Sequence, residues 1–429
     1  MEFGSLCVLG LGYIGLPTAC TFATHGLKVI GVDVNRRVVE VLHNGEIHIQ
    51  EPGLRTLAQA ALRSGNLEIR DQAAPADAFL IAVPTPAVGT PVPRADLGAV
   101  TAAAEMIVPH LRRGNLVVLE STSPPRTTLD VLAPILERSG LRAGPDFHLA
   151  YSPERVLPGQ ILRELVENAR VIGGVDRASA EAGRDLYSIF VRGEIVLSDA
   201  TTAEMVKLME NTYRDVNIAA ANEFARLAER LGVDVWRAIE IANLHPRVEI
   251  LRPGPGVGGH CIRLDPWFLA QTAPDGAPLI QAARRVNDGQ PDHTIRLIES
   301  AAGGLRGRSI AALGLAYKAE VDDLRESPAM AVARGLVRGG ARVRTWDPFA
   351  PAATVDGAHA AEGADDALRG ADALVLLVDH RSLRELDPVW AAGAMPGRVA
   401  VDTRGVWRRA DWEAAGFHLT VLGVGTSGG

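Results

Sequence analysis

Cysteine is scarce in this chain. Among 429 residues there are three, Cys7, Cys20 and Cys261, too few and too scattered for a disulfide framework or a zinc site, so no bound metal is expected. Such usage suits a reducing, cytoplasmic setting. Aromatic residues are sparse at 5 %. Long apolar runs are missing too: residues 6–16 contain three glycines and follow no basic stretch, which excludes a signal peptide and a membrane span there. Nor is positive charge in excess. With 44 Lys and Arg against 51 Asp and Glu, the net charge of -7 gives no electrostatic reason to expect nucleic acid or an anionic membrane as a partner. An anionic ligand must then be held by local basic residues. What the chain has is 47 % hydrophobic and 22 % charged residues, the balance of a globular protein, and length for roughly two or three domains.

The chain opens on a short apolar strand at residues 6–9, followed at once by Gly10-Leu11-Gly12-Tyr13-Ile14-Gly15 and a helical stretch. A second strand, Lys28-Val29-Ile30-Gly31-Val32, ends in Asp33. Strand, glycine turn, helix, strand and acid in this order make a dinucleotide fingerprint. Gly10, Gly12 and Gly15 turn the chain and admit a pyrophosphate, the helix N-terminus faces the phosphates, and Asp33 takes the ribose hydroxyls. An acid there repels a 2′-phosphate and favours NAD, while Arg36 and Arg37 keep NADP open. Apolar runs at 77–83 and 115–120 continue the alternation and place Thr85 and Thr122 at strand C-terminal ends. In an open parallel sheet that edge binds ligands, so both are cofactor neighbours or else ordinary turn residues. Glu154, in Tyr151-Ser152-Pro153-Glu154-Arg155-Val156-Leu157-Pro158-Gly159, reads equally as a surface charge.

Residues 201–231 predict one long helix, capped by Asp199, Thr201 or Thr202 and closed by Gly232. Lys207, Asn211 and Arg214 fall at i, i+4 and i+7 on one face, an arrangement that suits an oxyanion or a phosphoryl group and equally a solvated polar stripe. Four glycines and two prolines then crowd residues 253–259, and a shaped loop is expected from there through Pro266. It presents Cys261 behind a Gly258-Gly259 step, with Asp265 placed to touch what the sulfur touches; the alternative is an inert buried thiol. Helices are expected over 278–300. Beyond them Ala312-Leu313-Gly314-Leu315-Ala316-Tyr317 repeats Val8-Leu9-Gly10-Leu11-Gly12-Tyr13 in degenerate form, with strands at 341–346, 373–378 and 399–402. The expected fold is α/β: two Rossmann-like doubly wound domains joined by a central helical domain with one long helix, divided as 1–198, 199–300 and 301–429.

Taken together, these segments resemble the UDP-glucose/GDP-mannose dehydrogenase family. The resemblance is carried by Gly10 to Pro17 with Asp33, Gly45-Glu46-Ile47-His48-Ile49, Ala82-Val83-Pro84-Thr85-Pro86, Leu119-Glu120-Ser121-Thr122-Ser123-Pro124, the motif around Glu154, Thr202-Ala203-Glu204-Met205 with Lys207, and His245-Pro246-Arg247-Val248. Gly254 to Ile262 and Asp322-Asp323-Leu324-Arg325-Glu326-Ser327-Pro328 complete it. It implies a four-electron, NAD-dependent oxidation of the C6 alcohol of a UDP-sugar. By that resemblance Cys261 is the nucleophile, Lys207 stabilises the oxyanion or moves the alcohol proton beside Asn211, and Glu154, Asp265 and Thr122 position or activate water. NAD is implied near Tyr13, Ile14, Asp33, Thr85, Thr122 and Arg325. The sugar nucleotide is implied at Arg155, Val156, Lys207, Asn211, Arg214, His245, Arg247, Gly258, Tyr317, Lys318 and Arg404. The resemblance also implies a homodimer or larger homo-oligomer built on the central helix, with Arg247 reaching into the neighbouring subunit.

The signatures at 245–247 and 154–156 look like those of members acting on UDP-N-acetyl-D-mannosamine, with UDP-N-acetylglucosamine the next expectation and UDP-glucose the third. Three positions depart from the family pattern: Tyr317 where Phe is frequent, Ala319 where proline is common, and Arg404 for a frequent Lys. All fall in the sugar-nucleotide half. Two other readings compete: a two-electron hydroxyacid dehydrogenase in which Lys207 is the base and Cys261 structural, and a silent nucleotide-binding regulator.

Overall fold

The computed structural model describes residues 1–89, 93–157 and 159–425, with the backbone alone at His260. Pro158, in the motif around Glu154, lies outside the described residues. The chain forms two compact units, Met1–Glu210 with Trp267–Pro274, and Asn211–Pro266 with Asp275–Gly429.

The first unit holds β1 (Ser5–Leu9), β2 (Lys28–Val32), β3 (Leu67–Arg70), β4 (Ala78–Ile81), a small ribbon of β5 (Ala87–Val88) and β6 (Arg94–Ala95), β7 (Leu116–Leu119), β8 (His148–Tyr151), β9 (Arg170–Gly174) and β10 (Ile195–Asp199). Its main sheet runs β10-β9-β8-β7-β4-β1-β2-β3. Neighbours are parallel except β8 with β9. The chain leaves β1 for β2 and β3 on one side and resumes at β4 on the other, which makes the gap between β1 and β4 the topological switch point. Strands covered on both faces bury every side chain, so β4 and β7 are apolar throughout rather than alternating. Leu6, Val8, Leu80 and Val118 enter one core, while Cys7, Leu9, Phe79, Ile81, Val117 and Leu119 enter the other. Burial pushes the thiol of Cys7 up to about 11 and that of Cys20 up to about 12, so both remain protonated and inert.

The second unit repeats this plan. Its strands β11 (Ser309–Leu313), β12 (Arg342–Trp346), β13 (His359–Ala360), β14 (Ala373–Leu376), β15 (Val399–Asp402) and β16 (His418–Val421) stack in the order β13-β12-β11-β14-β15-β16, all parallel. The degenerate repeat is structural as well as sequential. Gly314, at φ +85, donates its amide to Trp346 O at 2.8 Å, as Gly10, at φ +93, donates to Val32 O at 2.8 Å. Asp347 accepts the amide of Leu315 at 2.6 Å, as Asp33 accepts that of Leu11 at 3.0 Å. Each acid thus closes the turn after the first strand of its own sheet.

A 32-residue helix, Ala200–Leu231, crosses from one unit's residues to the other's. Asp199 caps it, accepting from the Thr202 amide at 2.8 Å and hydroxyl at 2.6 Å, and Gly232, at φ +70, ends it. Two helices, Pro278–Asp288 and Gln290–Ala302, follow later. The loop expected through Pro266 stops earlier: residues His260–Ala270 are helical with Pro266 inside. Proline forfeits only one backbone bond there, to the Ile262 carbonyl, and the adjoining Trp267, Phe268 and Ala270 are buried and hold the helix. Cys261 is therefore a first-turn helical residue. Among the described residues no helix is long and apolar enough to cross a membrane.

Candidate active site

In the first unit the glycine turn is shaped by contact distances. A Cβ at Gly15 would lie 1.8 Å from the Gly10 carbonyl oxygen, and one at Gly10 would lie 2.7 Å from Ala82 O, whereas Gly12 has nothing within 4 Å. Close packing at the first and third glycines and open space at the second form a cradle that fits a pyrophosphate at the N-terminus of helix Gly15–Thr24. Ile14 is the residue before that helix, and Tyr13 is exposed. Asp33 stands at the end of β2, its other oxygen accepting the Asn35 amide at 2.8 Å. The structure brings Thr85 and Thr122 together: the buried Thr85 hydroxyl donates to Thr122 O at 2.7 Å, and Ser121 Oγ donates to Val83 O at 2.7 Å. These bonds tie the C-terminal ends of β4 and β7 at the switch-point edge. Gly12→Ala is expected to fold as the parent does and to weaken NAD binding about tenfold or more. Gly15→Ala should lose NAD binding and about 3 kcal/mol of stability, since a backbone overlap cannot be relieved by a rotamer. NAD titration alongside chemical denaturation checks both.

Also in the first unit, Lys207 is buried on the long helix. Glu154 follows β8 in a loop, its Oε1 accepting the Arg155 amide at 2.7 Å and its Oε2 an Arg170 donor at 2.6 Å. The Arg155 guanidinium reaches Glu210 Oε1 at 2.5 Å and the Ala169 carbonyl. Val156 is half-buried beside it.

In the second unit, Asn211 donates to Asp265 Oδ2 at 2.6 Å, joining the long helix to the Cys261 helix; Asp265 is 3 % exposed. Cys261 itself is exposed, in the first helical turn, where the macrodipole favours an anionic sulfur. The glycines of the loop before it are closely packed, at Gly258 and Gly259 against Tyr317 and at Gly254 against the movable tip of Arg404. A Cβ would lie 2.8 Å from Tyr317 Cβ at Gly258, 2.8 Å from the Tyr317 ring at Gly259, and 2.5 Å from an Arg404 nitrogen at Gly254. Gly254 is also anchored from the long helix, its amide donating to Asn222 Oδ1 at 3.0 Å. Burial raises the pKa of Tyr317, reinforced by Asp323 and Cys261 and opposed by Arg325 and Arg214, so all four lie within electrostatic reach of its hydroxyl. Lys318 Nζ stands 5.8 Å from the Tyr317 ring centre. Arg404 is held by Asp379 Oδ1 at 3.0 Å, and Arg325 pairs with Asp323 at 2.7 Å. His245 and Arg247 lie in an exposed turn. The Arg247 amide donates to His245 Nδ1 at 3.3 Å, and the His245 amide donates to Ala242 O at 3.1 Å.

Three domains of one family match the chain in order: the UDP-glucose/GDP-mannose dehydrogenase NAD binding domain over residues 4–191, the central domain over 201–289 and the UDP binding domain over 311–409. The chain belongs to this family. It is an NAD-dependent UDP-sugar dehydrogenase, an oxidoreductase. It is 45 % identical to a UDP-N-acetyl-D-mannosamine dehydrogenase of Methanococcus maripaludis, over 99 % of this chain and 98 % of that one. It is 47 % identical to an NDP-N-acetyl-D-galactosaminuronic acid dehydrogenase of Ralstonia nicotianae, over 95 % and 97 %. Among solved structures, a UDP-D-ManNAc dehydrogenase of Pyrococcus horikoshii superposes with a TM-score of 0.91 at 41 % identity, covering 98 % of this chain and 100 % of that one.

Several residues that shape this dehydrogenase carry no role in the sequence reading. Glu51, buried, accepts the amides of Gly159 at 2.7 Å and Ile161 at 2.8 Å, and so fixes the loop that carries Glu154. Glu204 accepts Thr128 N at 2.7 Å, its hydroxyl at 2.6 Å and Arg126 N at 2.5 Å, pinning the segment after Thr122; burial pushes its carboxyl up to about 7. His48 lies beside Asp33 and the Leu11 main chain, and burial lowers its pKa against the pull of both. No local pattern in the sequence signals these pairings.

Proposed function

We propose that this dehydrogenase oxidises UDP-N-acetyl-D-mannosamine at C6 to the uronate, through a covalent intermediate on Cys261. The supporting observation is the exposed Cys261 in a first helical turn behind Gly258 and Gly259, where Tyr317 leaves no room for a side chain, next to the 2.6 Å Asn211–Asp265 pair. When bound, NAD supplies the hydride acceptor for each of the two oxidations. Lys207 takes the alcohol proton or, as an ammonium, screens the developing alkoxide while water takes that proton. An aldehyde has no hydride to give until a nucleophile adds, so the Cys261 thiolate attacks its carbonyl carbon and the oxygen takes a proton, giving a thiohemiacetal. Loss of hydride and of the hydroxyl proton leaves a thioester. Water, oriented by Glu154, Thr122 and Asp265, adds to it, and the C–S bond breaks to return the thiol and the carboxylate. One water is consumed and three protons are released per sugar.

The sugar nucleotide is assigned to Arg155, Val156, Arg214, His245, Arg247, Gly258, Tyr317, Lys318 and Arg404, and NAD to Gly10, Gly12, Tyr13, Ile14, Gly15, Asp33, Thr85, Thr122 and Arg325. We assign residues 1–198 to the NAD domain, 199–300 to the central domain and 301–429 to the UDP domain. A homodimer is favoured because Met205, Met209 and Tyr213, spaced by helical turns on the long helix, are 46 %, 51 % and 64 % exposed. The supply of NAD and the exposed Cys261 thiol support a cytoplasmic location. The identity to the Ralstonia relative gives a second reading, an N-acetylgalactosamine-type sugar. A panel of UDP-N-acetylmannosamine, UDP-N-acetylgalactosamine, UDP-N-acetylglucosamine and UDP-glucose, scored by kcat/KM, should favour the first by about tenfold or more. Preference for UDP-N-acetylgalactosamine replaces this reading with the second.

A further inference from the structure

Arg170 begins β9 and is 4 % exposed. Its Nη2 donates to Glu154 Oε2 at 2.6 Å, and its Nη1 donates to Glu120 Oε1 and to Ser152 Oγ, both at 3.2 Å. Its guanidinium carbon lies 4.3 Å from the centre of the Tyr187 ring, and the Tyr187 hydroxyl donates to Glu120 Oε1 at 2.9 Å. Four elements meet here: Glu120 lies one residue beyond β7, Ser152 and Glu154 follow β8, Arg170 opens β9, and Tyr187 ends helix Arg177–Tyr187. Glu154 is thereby held at both oxygens, by Arg170 on Oε2 and by the Arg155 amide on Oε1.

We propose that Arg170 is the positioning residue for Glu154, aiming its carboxylate at the water that releases the Cys261 thioester, with Tyr187 and Glu120 bracing the guanidinium. This rests on Glu154 orienting that water. A buried cation needs a buried counter-charge, and a fork of fixed donors sets the plane of the carboxylate it meets. Two full carboxylates on one guanidinium would leave surplus negative charge in the interior. Burial pushes the Glu120 carboxyl up to about 7, ahead of the opposing pull of Arg170, with Glu154 adding to the rise. Its Oε2 is buried with no hydrogen-bond partner, which costs less on a neutral acid than on a carboxylate. The single positive charge of Arg170 is then left to Glu154.

Rapid-quench single turnovers with UDP-N-acetylmannosamine and NAD test this, following the first NADH burst by absorbance and the Cys261 adduct by mass spectrometry. Glu154→Gln should accumulate the adduct; if it does not, the role of Glu154 is wrong and this proposal falls with it. Given that adduct, Arg170→Met should reproduce it, with release slowed about 100-fold, the first burst kept and the sugar KM within about threefold. The Arg170→Met, Glu154→Gln double variant should be no slower than Glu154→Gln alone. An Arg170→Met enzyme that releases product at the parent rate, or a double variant slowed by the product of both effects, overturns the proposal while leaving Glu154 in place. Should Arg170→Met not fold, Tyr187→Phe decides: release slowed roughly threefold to tenfold with the burst intact supports the proposal, and parent-like release sinks it.

Discussion

Cys261→Ser is expected to stop the enzyme after one hydride transfer. The alcohol-to-aldehyde step needs no nucleophile, so each active site should still form one NADH, and the second NADH and the uronate should fail to appear. Steady-state kcat should fall by a factor on the order of 10³, equivalent to about 4 kcal/mol of transition-state stabilisation, while the sugar KM stays within a few-fold. A serine hydroxyl in the same first helical turn gains from the helix dipole but is protonated near neutral pH, and the ester it would form releases product more slowly than a thioester. Stopped-flow absorbance with an aldehyde trap reads both products. Two NADH per sugar at the parent rate would remove Cys261 from the mechanism, whereas one NADH per sugar at the parent rate in both the variant and the parent would restore the two-electron hydroxyacid reading. The same thiol gives a control: Cys7 and Cys20, pushed to about 11 and about 12 by burial, should not react with a thiol reagent that inactivates the enzyme through Cys261.

The sequence signals that carried furthest were those with a local steric or periodic cause. Gly10 and Gly15 were legible because a Cβ at either would collide with backbone, at 2.7 Å and 1.8 Å, so nothing but glycine fits the turn. The apolar runs at β4 and β7 were legible because both faces of a parallel strand are buried. Helix Ala200–Leu231 announced itself by its periodicity, by Asp199 and by Gly232. The glycines and prolines of residues 253–259 carried the expected loop too far, through Pro266, because buried Trp267 and Phe268 outweigh the one bond that Pro266 forfeits in the helix. The face of Lys207, Asn211 and Arg214 was predicted as one stripe; the structure grades it from a buried Lys207 through a half-buried Asn211 to an exposed Arg214, a difference that spacing does not encode. Contacts across distant segments left no local trace. Glu51 with Gly159, Glu204 with Thr128, Asn222 with Gly254 and Arg170 with Glu154 each join residues whose pairing depends on how strands and helices stack. These bonds hold the loops that carry Glu154 and Cys261, and no local pattern in the sequence encodes them.

Lys207→Ala should slow the first hydride transfer as well as the second, which separates it from Cys261 and Glu154. An alcohol gives up hydride only as its proton is lost or its oxygen is screened by positive charge, and the thiohemiacetal oxygen makes the same demand, so one cation serves both steps. A reduction in kcat by a factor of about 10³ is expected, within the range for loss of a positioned proton-transfer group combined with an electrostatic one. No Cys261 adduct should accumulate, because the block lies before it. Stability should hold or rise, since Lys207 is buried and its removal relieves the cost of keeping an ammonium out of water. Lys207→Arg should not rescue the rate: a guanidinium keeps the charge but does not deprotonate. Single-turnover NADH formation in the two variants, with Asn211→Ala beside them, reads these effects directly. A first burst within tenfold of the parent in Lys207→Ala assigns the proton to another group and leaves Lys207 a role in sugar-nucleotide binding alone, to be seen as a raised KM.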